Sequence, residues 1–162
     1  MGWPTSSKKD EVLGEKMRGI IEKTTKTIFL CQSDKPWGTH QKIFIAAPAR
    51  SEDMEGFELW VKKVIKMAEE LSVPIIMHCT KKTRAAIEEL IIKLNLRAPF
   101  KFNEFNDWED FLIISKNLQP EDIIILITAR KESVAYQPVL DEIPLKMESY
   151  FAENARIMIF PQ

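Results

Sequence analysis

The 162-residue chain reads as an α/β protein, a doubly wound five-stranded parallel sheet preceded by an extra helix and strand. Three observations predict this. From Ile43 onward, apolar runs of strand length alternate with longer stretches of helical periodicity. The run DIIILIT (122–128) is apolar almost throughout, as a strand covered on both faces must be. Right-handed crossovers between such parallel strands then place helices on both faces.

Each element has its own signal. KIFIAAP (42–48) reads as a buried strand. It is followed by GFELWVKKVIKMAEEL, whose Phe57, Trp60, Val61, Val64, Ala68 and Leu71 form one helical stripe. VPIIMHC (73–79) is a second strand, and TKKTRAAIEELIIKLN a second helix with Ile87, Leu90, Ile91 and Leu94 facing inward. Thr80 is placed to cap its start and Asn95 its end. FKFNEF (100–105) alternates apolar and polar, which suits an edge strand. Asn106 with Glu109 reads as a capping box for the helix WEDFLIISKN, which Pro120 closes off from the next strand, DIIILIT. A last helix over roughly 141–152 tolerates Pro144 only in its first turn, and RIMIF is the closing strand. The strand order 3-2-1-4-5 centres the two most apolar runs. Ligands on such sheets bind beyond the strand ends at the switch point, here Ala47, Pro48 and Ala49 opposite Thr128, Ala129 and Arg130.

Composition limits what such a mouth could do. A chain this long buries roughly 70% of its unfolded surface, and 45% apolar with 29% charged residues is ordinary for a globular protein. The net charge of -1 gives no electrostatic case for nucleic acid or an anionic membrane surface. Cys31 and Cys79 lie in strand-like runs, the usual setting of reduced thiols. The histidines, His40 and His78, are too few for a metal centre, and His78 and Cys79 point to opposite strand faces. No run approaches the ~18 apolar residues of a membrane span, and MGWPTSSKKDE does not read as a signal peptide, so the piece by itself is expected to be soluble.

The front of the chain has no place in the five-stranded pattern. Shifted by 130 residues, KMRGIIEKTTKTIFLCQ (16–32) falls on KMESYFAENARIMIFPQ (146–162). Lys16, Met17 and Gln32 meet Lys146, Met147 and Gln162, and Ile20, Ile21 and Ile28 meet Tyr150, Phe151 and Met158. Residues 1–33, with the helix and strand over 8–32, therefore read as the tail of a preceding copy, 34–41 as a linker and 42–162 as the main domain. The other reading is an added amphipathic helix that covers the sheet.

The order and spacing of several short motifs resemble the universal stress protein family, whose fold is like that of the adenine nucleotide alpha hydrolases. They are most similar to the stress-protein-like C-terminal region of bacterial cation/proton (Na+/H+) antiporters. The motifs are Ala47-Pro48, Glu55-Gly56-Phe57 with Trp60, Asp107-Trp108 with Asp110-Phe111, Ala129-Arg130-Lys131 with Ser133 and Tyr136, and Tyr150-Phe151. The resemblance implies a regulatory or assembly domain on the cytoplasmic side of the inner membrane, partnered by the membrane-embedded part of a transporter. It also implies pairing through the last strands, either between two chains as a homodimer or within one chain between residues 27–31 and 156–160. A free-standing nucleotide-binding stress protein is the alternative.

Stress proteins that bind ATP have a glycine-rich phosphate loop after the fourth strand and an Asp at the end of the first. Such a loop needs glycine, because the backbone must turn with positive φ and approach the phosphates without a Cβ in the way. Here the glycines are residues 2, 14, 19, 38 and 56, all before the loop, and Ala47-Pro48 stands where the acid is expected. What is left of a ligand mouth is Ala47, Pro48, Thr128, Arg130, Lys131, Ser133 and Val134, a degenerate site for which no cofactor is expected. Ser133 has no histidine in reach, and Asp107, Glu109 and Asp110 suit the first turn of a helix, where the macrodipole favours acids. The expectation is a protein that is not an enzyme.

Overall fold

A computed structural model describes residues 14–162. Residues 1–13, with the opening of the front helix expected from residue 8 and the segment read as lacking a signal peptide, lie outside the described residues. The elements are helix α1 (Glu15–Lys23), strands β1 (Ile28–Gln32) and β2 (Ile43–Ala46), α2 (Phe57–Leu71), β3 (Ile75–Cys79), α3 (Lys81–Leu94) and β4 (Phe100–Glu104). They continue with α4 (Phe111–Ser115), β5 (Ile123–Ile127), α5 (Ile143–Tyr150) and β6 (Ala155–Phe160). Among these no helix is long and apolar enough to cross a membrane.

The five strands from Ile43 onward lie side by side in the expected order 3-2-1-4-5, and the correction is a sixth strand, the front one, which changes the strand count and the order of the whole sheet. The sheet has six strands in the order β1-β6-β5-β2-β3-β4. β2, β3, β4, β5 and β6 are joined by parallel pairings, while β1 runs antiparallel along β6. The physical reason lies in β6, whose residues are all buried and whose outer edge would otherwise leave a row of backbone groups without partners. β1 brings Ile28 and Leu30 to the same core and completes that ladder from Ile28↔Phe160 to Gln32↔Arg156, with Phe29 facing Ile159 in between.

Packing explains the rest. β2 and β5 are wholly buried, as their continuous apolar runs require, whereas β4 at the opposite edge is buried at none of its five positions. Right-handed crossovers put α2 and α3 on one face and α4 and α5 on the other. Trp60, Val61, Val64 and Ala68 of the α2 stripe are buried, with Phe57 and Leu71 half-buried at its ends. Thr80 caps α3 by accepting from the Thr83 amide (3.2 Å), and Asn95 closes it in the left-handed region at φ 49°.

Two local expectations shift. The helix expected from Trp108 opens as a 3-10 turn, Trp108–Asp110, before α4. Its cap is Asp107, which accepts from the Glu109 amide at 2.9 Å, because Asn106 turns back to donate to Glu104. The last helix starts at Ile143, after a 3-10 turn over Pro138–Asp141, and keeps Pro144 in its first turn.

The chain end is held tightly. A Cβ on Gly56, at the start of α2, would lie 2.7 Å from the Gln162 amide nitrogen, 2.9 Å from Thr27 Oγ1 and 3.0 Å from the Pro161 side chain. Gly56 is thus required by close approach and not by its φ of -80°.

Candidate functional site

The mouth lies where β2 and β5, neighbours in the sheet, come to their carboxyl ends. On the β2 side the backbone closes on itself. The Ala47 amide donates to His78 O (3.0 Å), and Pro48 O accepts from both the amide (3.3 Å) and the hydroxyl (2.6 Å) of Ser51. Arg50 then takes the left-handed conformation at φ 66°.

On the β5 side, the Thr128 amide donates to Ile159 O (2.9 Å), and the next turn is tied by Ser133 N to Arg130 O (2.8 Å) and Tyr136 N to Ser133 O (3.1 Å). Ser133 Oγ accepts from the Ala135 amide (3.3 Å), and Val134 and Lys131 are exposed. Arg130 is the centre of this side. Its guanidinium donates to three backbone carbonyls: Ile21 O in α1 (3.1 Å), Lys26 O before β1 (2.6 Å) and Pro161 O after β6 (2.7 Å). Burial draws its proton affinity below the usual arginine value, with Glu132 opposing the shift. An arginine engaged in this way joins three segments and has few donors left for an anion.

A cavity of about 700 Å³ opens beside this clamp, between α1 and α5 and over β6. Of the seven expected mouth residues, Thr128, Arg130 and Lys131 line it, while Ala47, Pro48, Ser133 and Val134 do not. Its other walls come from residues that sequence reasoning passed over, chiefly Ile21 and Glu22 of α1 and Leu145 of α5. The apolar stripe of the front helix was the available signal, but nothing local in it names the surface it meets.

A second feature escaped the sequence as well. Glu52 lies at the start of α3, where its Oε2 accepts from Thr83 Oγ1 (2.6 Å) and its Oε1 stands 3.6 Å from Lys82 Nζ. An anion there is favoured by the helix dipole, and this carboxylate occupies that place at the start of α3.

His78 is buried, accepts from Asn103 Nδ2 (3.1 Å) and is held neutral by that burial, which lowers its pKa. Cys79 is buried with its thiol pushed up to about 12, and Cys31 is raised by the same cause. Ser33 and His40 are 3.3 Å apart, but the Ser33 hydroxyl donates to Lys35 O (2.7 Å), and His40 meets a backbone carbonyl, Glu121 O, instead of a carboxylate. That pair lacks the orienting acid and the free hydroxyl that an activated serine needs.

Fold and mouth together define a Rossmann-like α/β domain with a mostly parallel six-stranded sheet. In comparison with known proteins, no family model matches the chain, and no curated protein matches it.

Proposed function

We propose that the chain is a non-catalytic regulatory or assembly domain of a cation/proton antiporter, built on a universal stress protein-like fold with a degenerate nucleotide site. On this reading it works at the cytoplasmic side of the inner membrane, against the membrane-embedded part of the same transporter. The observation that carries the proposal is the β1·β6 ladder. Phe29 faces Ile159, and Ile159 is the residue that the 130-residue shift equates with Phe29. The pair is therefore centred on a pseudo-two-fold axis that relates the front helix and strand to the last ones, as expected for the tail of one copy pairing with its successor. The engaged Arg130 and the filled helix start at α3 support a mouth without a phosphate grip.

The test is cation/proton exchange in everted membrane vesicles that carry the full-length gene product, with and without residues 14–162. Loss of this region should shift the pH or cation dependence of exchange. Unchanged exchange, or a gene product without any membrane-spanning region, refutes the proposal. One observation favours the second reading, a free-standing nucleotide-binding stress protein: the cavity that reaches Thr128, Arg130 and Lys131. It requires saturable binding of ATP to the purified chain.

A further inference from the structure

The cavity between α1 and α5 shares Thr128, Arg130 and Lys131 with the switch-point mouth but extends away from it. It lies over β6, its floor is Met158 and Phe160, and α1 supplies one wall through Ile21. We propose that it is a binding site for a small molecule with an apolar ring or chain and no phosphate cluster, with α1 as its outer wall. The proposal does not depend on membership of a transporter.

Size is the first argument, since small-molecule sites commonly span about 300–1,000 Å³, and this cavity has about 700 Å³. Chemistry of the floor is the second. Met158, Phe160, Leu140 and Ile21 are buried apolar side chains, and a methionine beside an aromatic ring adapts to varied apolar shapes. Charge at the rim is the third. Acids and bases balance around the lining, Glu22, Glu132, Asp141 and Glu142 against Arg18, Arg130, Lys131 and Lys146, and Glu142 pairs with Lys146 (3.6 Å), so the rim has no net positive charge to draw a polyphosphate. Arg130, the cation best placed to hold a phosphate, is already bound to three carbonyls. A polyphosphate would meet as many acids as bases and an engaged arginine, whereas an apolar body would meet the floor of Met158, Phe160, Leu140 and Ile21.

The wall has a consequence for what such a ligand could do. Through Ile21 O and Lys26 O, the Arg130 clamp fixes the end of α1 and the approach to β1. A molecule in the cavity touches the same helix, so its binding is coupled to how firmly the front helix and strand sit on the sheet.

The test uses the neutral dye N-phenyl-1-naphthylamine, which fluoresces in apolar surroundings, titrated into the purified chain. Saturable one-site binding is expected. It should weaken about tenfold or more in each of two cavity-filling variants, Leu145→Trp from α5 and Glu22→Trp from α1, because a bulky ring in a pocket excludes the occupant. Both positions are exposed, so the fold should tolerate either change, and Leu59→Trp on the exposed side of α2 should bind as the parent does. Absence of saturable binding, or equal binding by all variants, overturns the site. Displacement of the dye by ATP or inorganic phosphate, with no displacement by uncharged aromatic or aliphatic competitors, overturns the ligand class.

Discussion

Replacing Arg130 with alanine removes three hydrogen bonds at once, and each of them joins parts of the chain distant in sequence. The acceptors Ile21 O and Lys26 O lie 109 and 104 residues from the arginine, and Pro161 O lies 31 residues away. A charged donor to a carbonyl contributes about 1.5–3 kcal/mol when buried, and a typical net bond about 1 kcal/mol. The lower figure suits this site, because the Lys26 carbonyl can take water in place of the guanidinium. Three such bonds give about 3 kcal/mol, or a fall in Tm of roughly 6–12 °C for a chain of this size. Arg130→Lys should recover about 1 kcal/mol of that, since an ammonium is a point donor that cannot span the fork of three carbonyls. Equilibrium urea unfolding measures both, and hydrogen exchange should show α1 and β1 opening before β2 and β5. An Arg130→Ala chain within about 0.5 kcal/mol of the parent, the scatter expected of neutral surface changes, would refute the clamp and return this residue to the role of an unengaged cation.

Other perturbations follow from single contacts. Gly56→Ala should cost about 1–3 kcal/mol by overpacking, because its Cβ would meet the Gln162 backbone at 2.7 Å. Gly19→Ala in α1 meets nothing within 4 Å and should instead add about 0.5–1 kcal/mol from helix propensity; thermal melts of the two variants should move in opposite directions. Glu52→Ala and Thr83→Val each break the 2.6 Å bond at the start of α3, so the double variant should lose less stability than the sum of the two, with a coupling of about 0.5–3 kcal/mol. Additive losses would mean that the pair is not a unit. Burial lowers the pKa of His78 from 6.5 in the folded protein, so the unfolded chain takes up this proton first. Stability should therefore fall as pH drops below about 6.5 towards the folded value, and His78→Gln should lack that part of the loss in urea titrations at stepped pH.

The parts of the fold that could be read from the sequence are those governed by local pattern. A run such as DIIILIT can be satisfied only by burial on both faces, and Ile123–Ile127 are buried without exception. Thr80 and Asn95 bound α3 through side-chain and backbone geometry that their own residue types favour. The destination of β1 was legible only through comparison of the two chain ends, because an apolar strand does not encode which edge it completes. Arg130 shows the same limit at the site. An arginine after a strand reads alike whether its guanidinium meets phosphate or carbonyls, and two of its three partners belong to a segment more than a hundred residues earlier. Glu52 was missed for that reason too, since its partner Thr83 lies 31 residues on, at the start of another element.

The antiparallel ladder between β1 and β6 also imposes an order on biosynthesis. Gln32 and Arg156, which meet through a 2.7 Å side-chain bond at one end of that ladder, are 124 residues apart. Among the described strands β1 is made before all the others and its partner β6 after them, so this ladder closes only when the rest of the sheet has been synthesised. Interruption of β6 would leave β1 with no edge to join, so a lesion of very few residues there should expose β1, more than a hundred residues earlier, to aggregation and proteolysis.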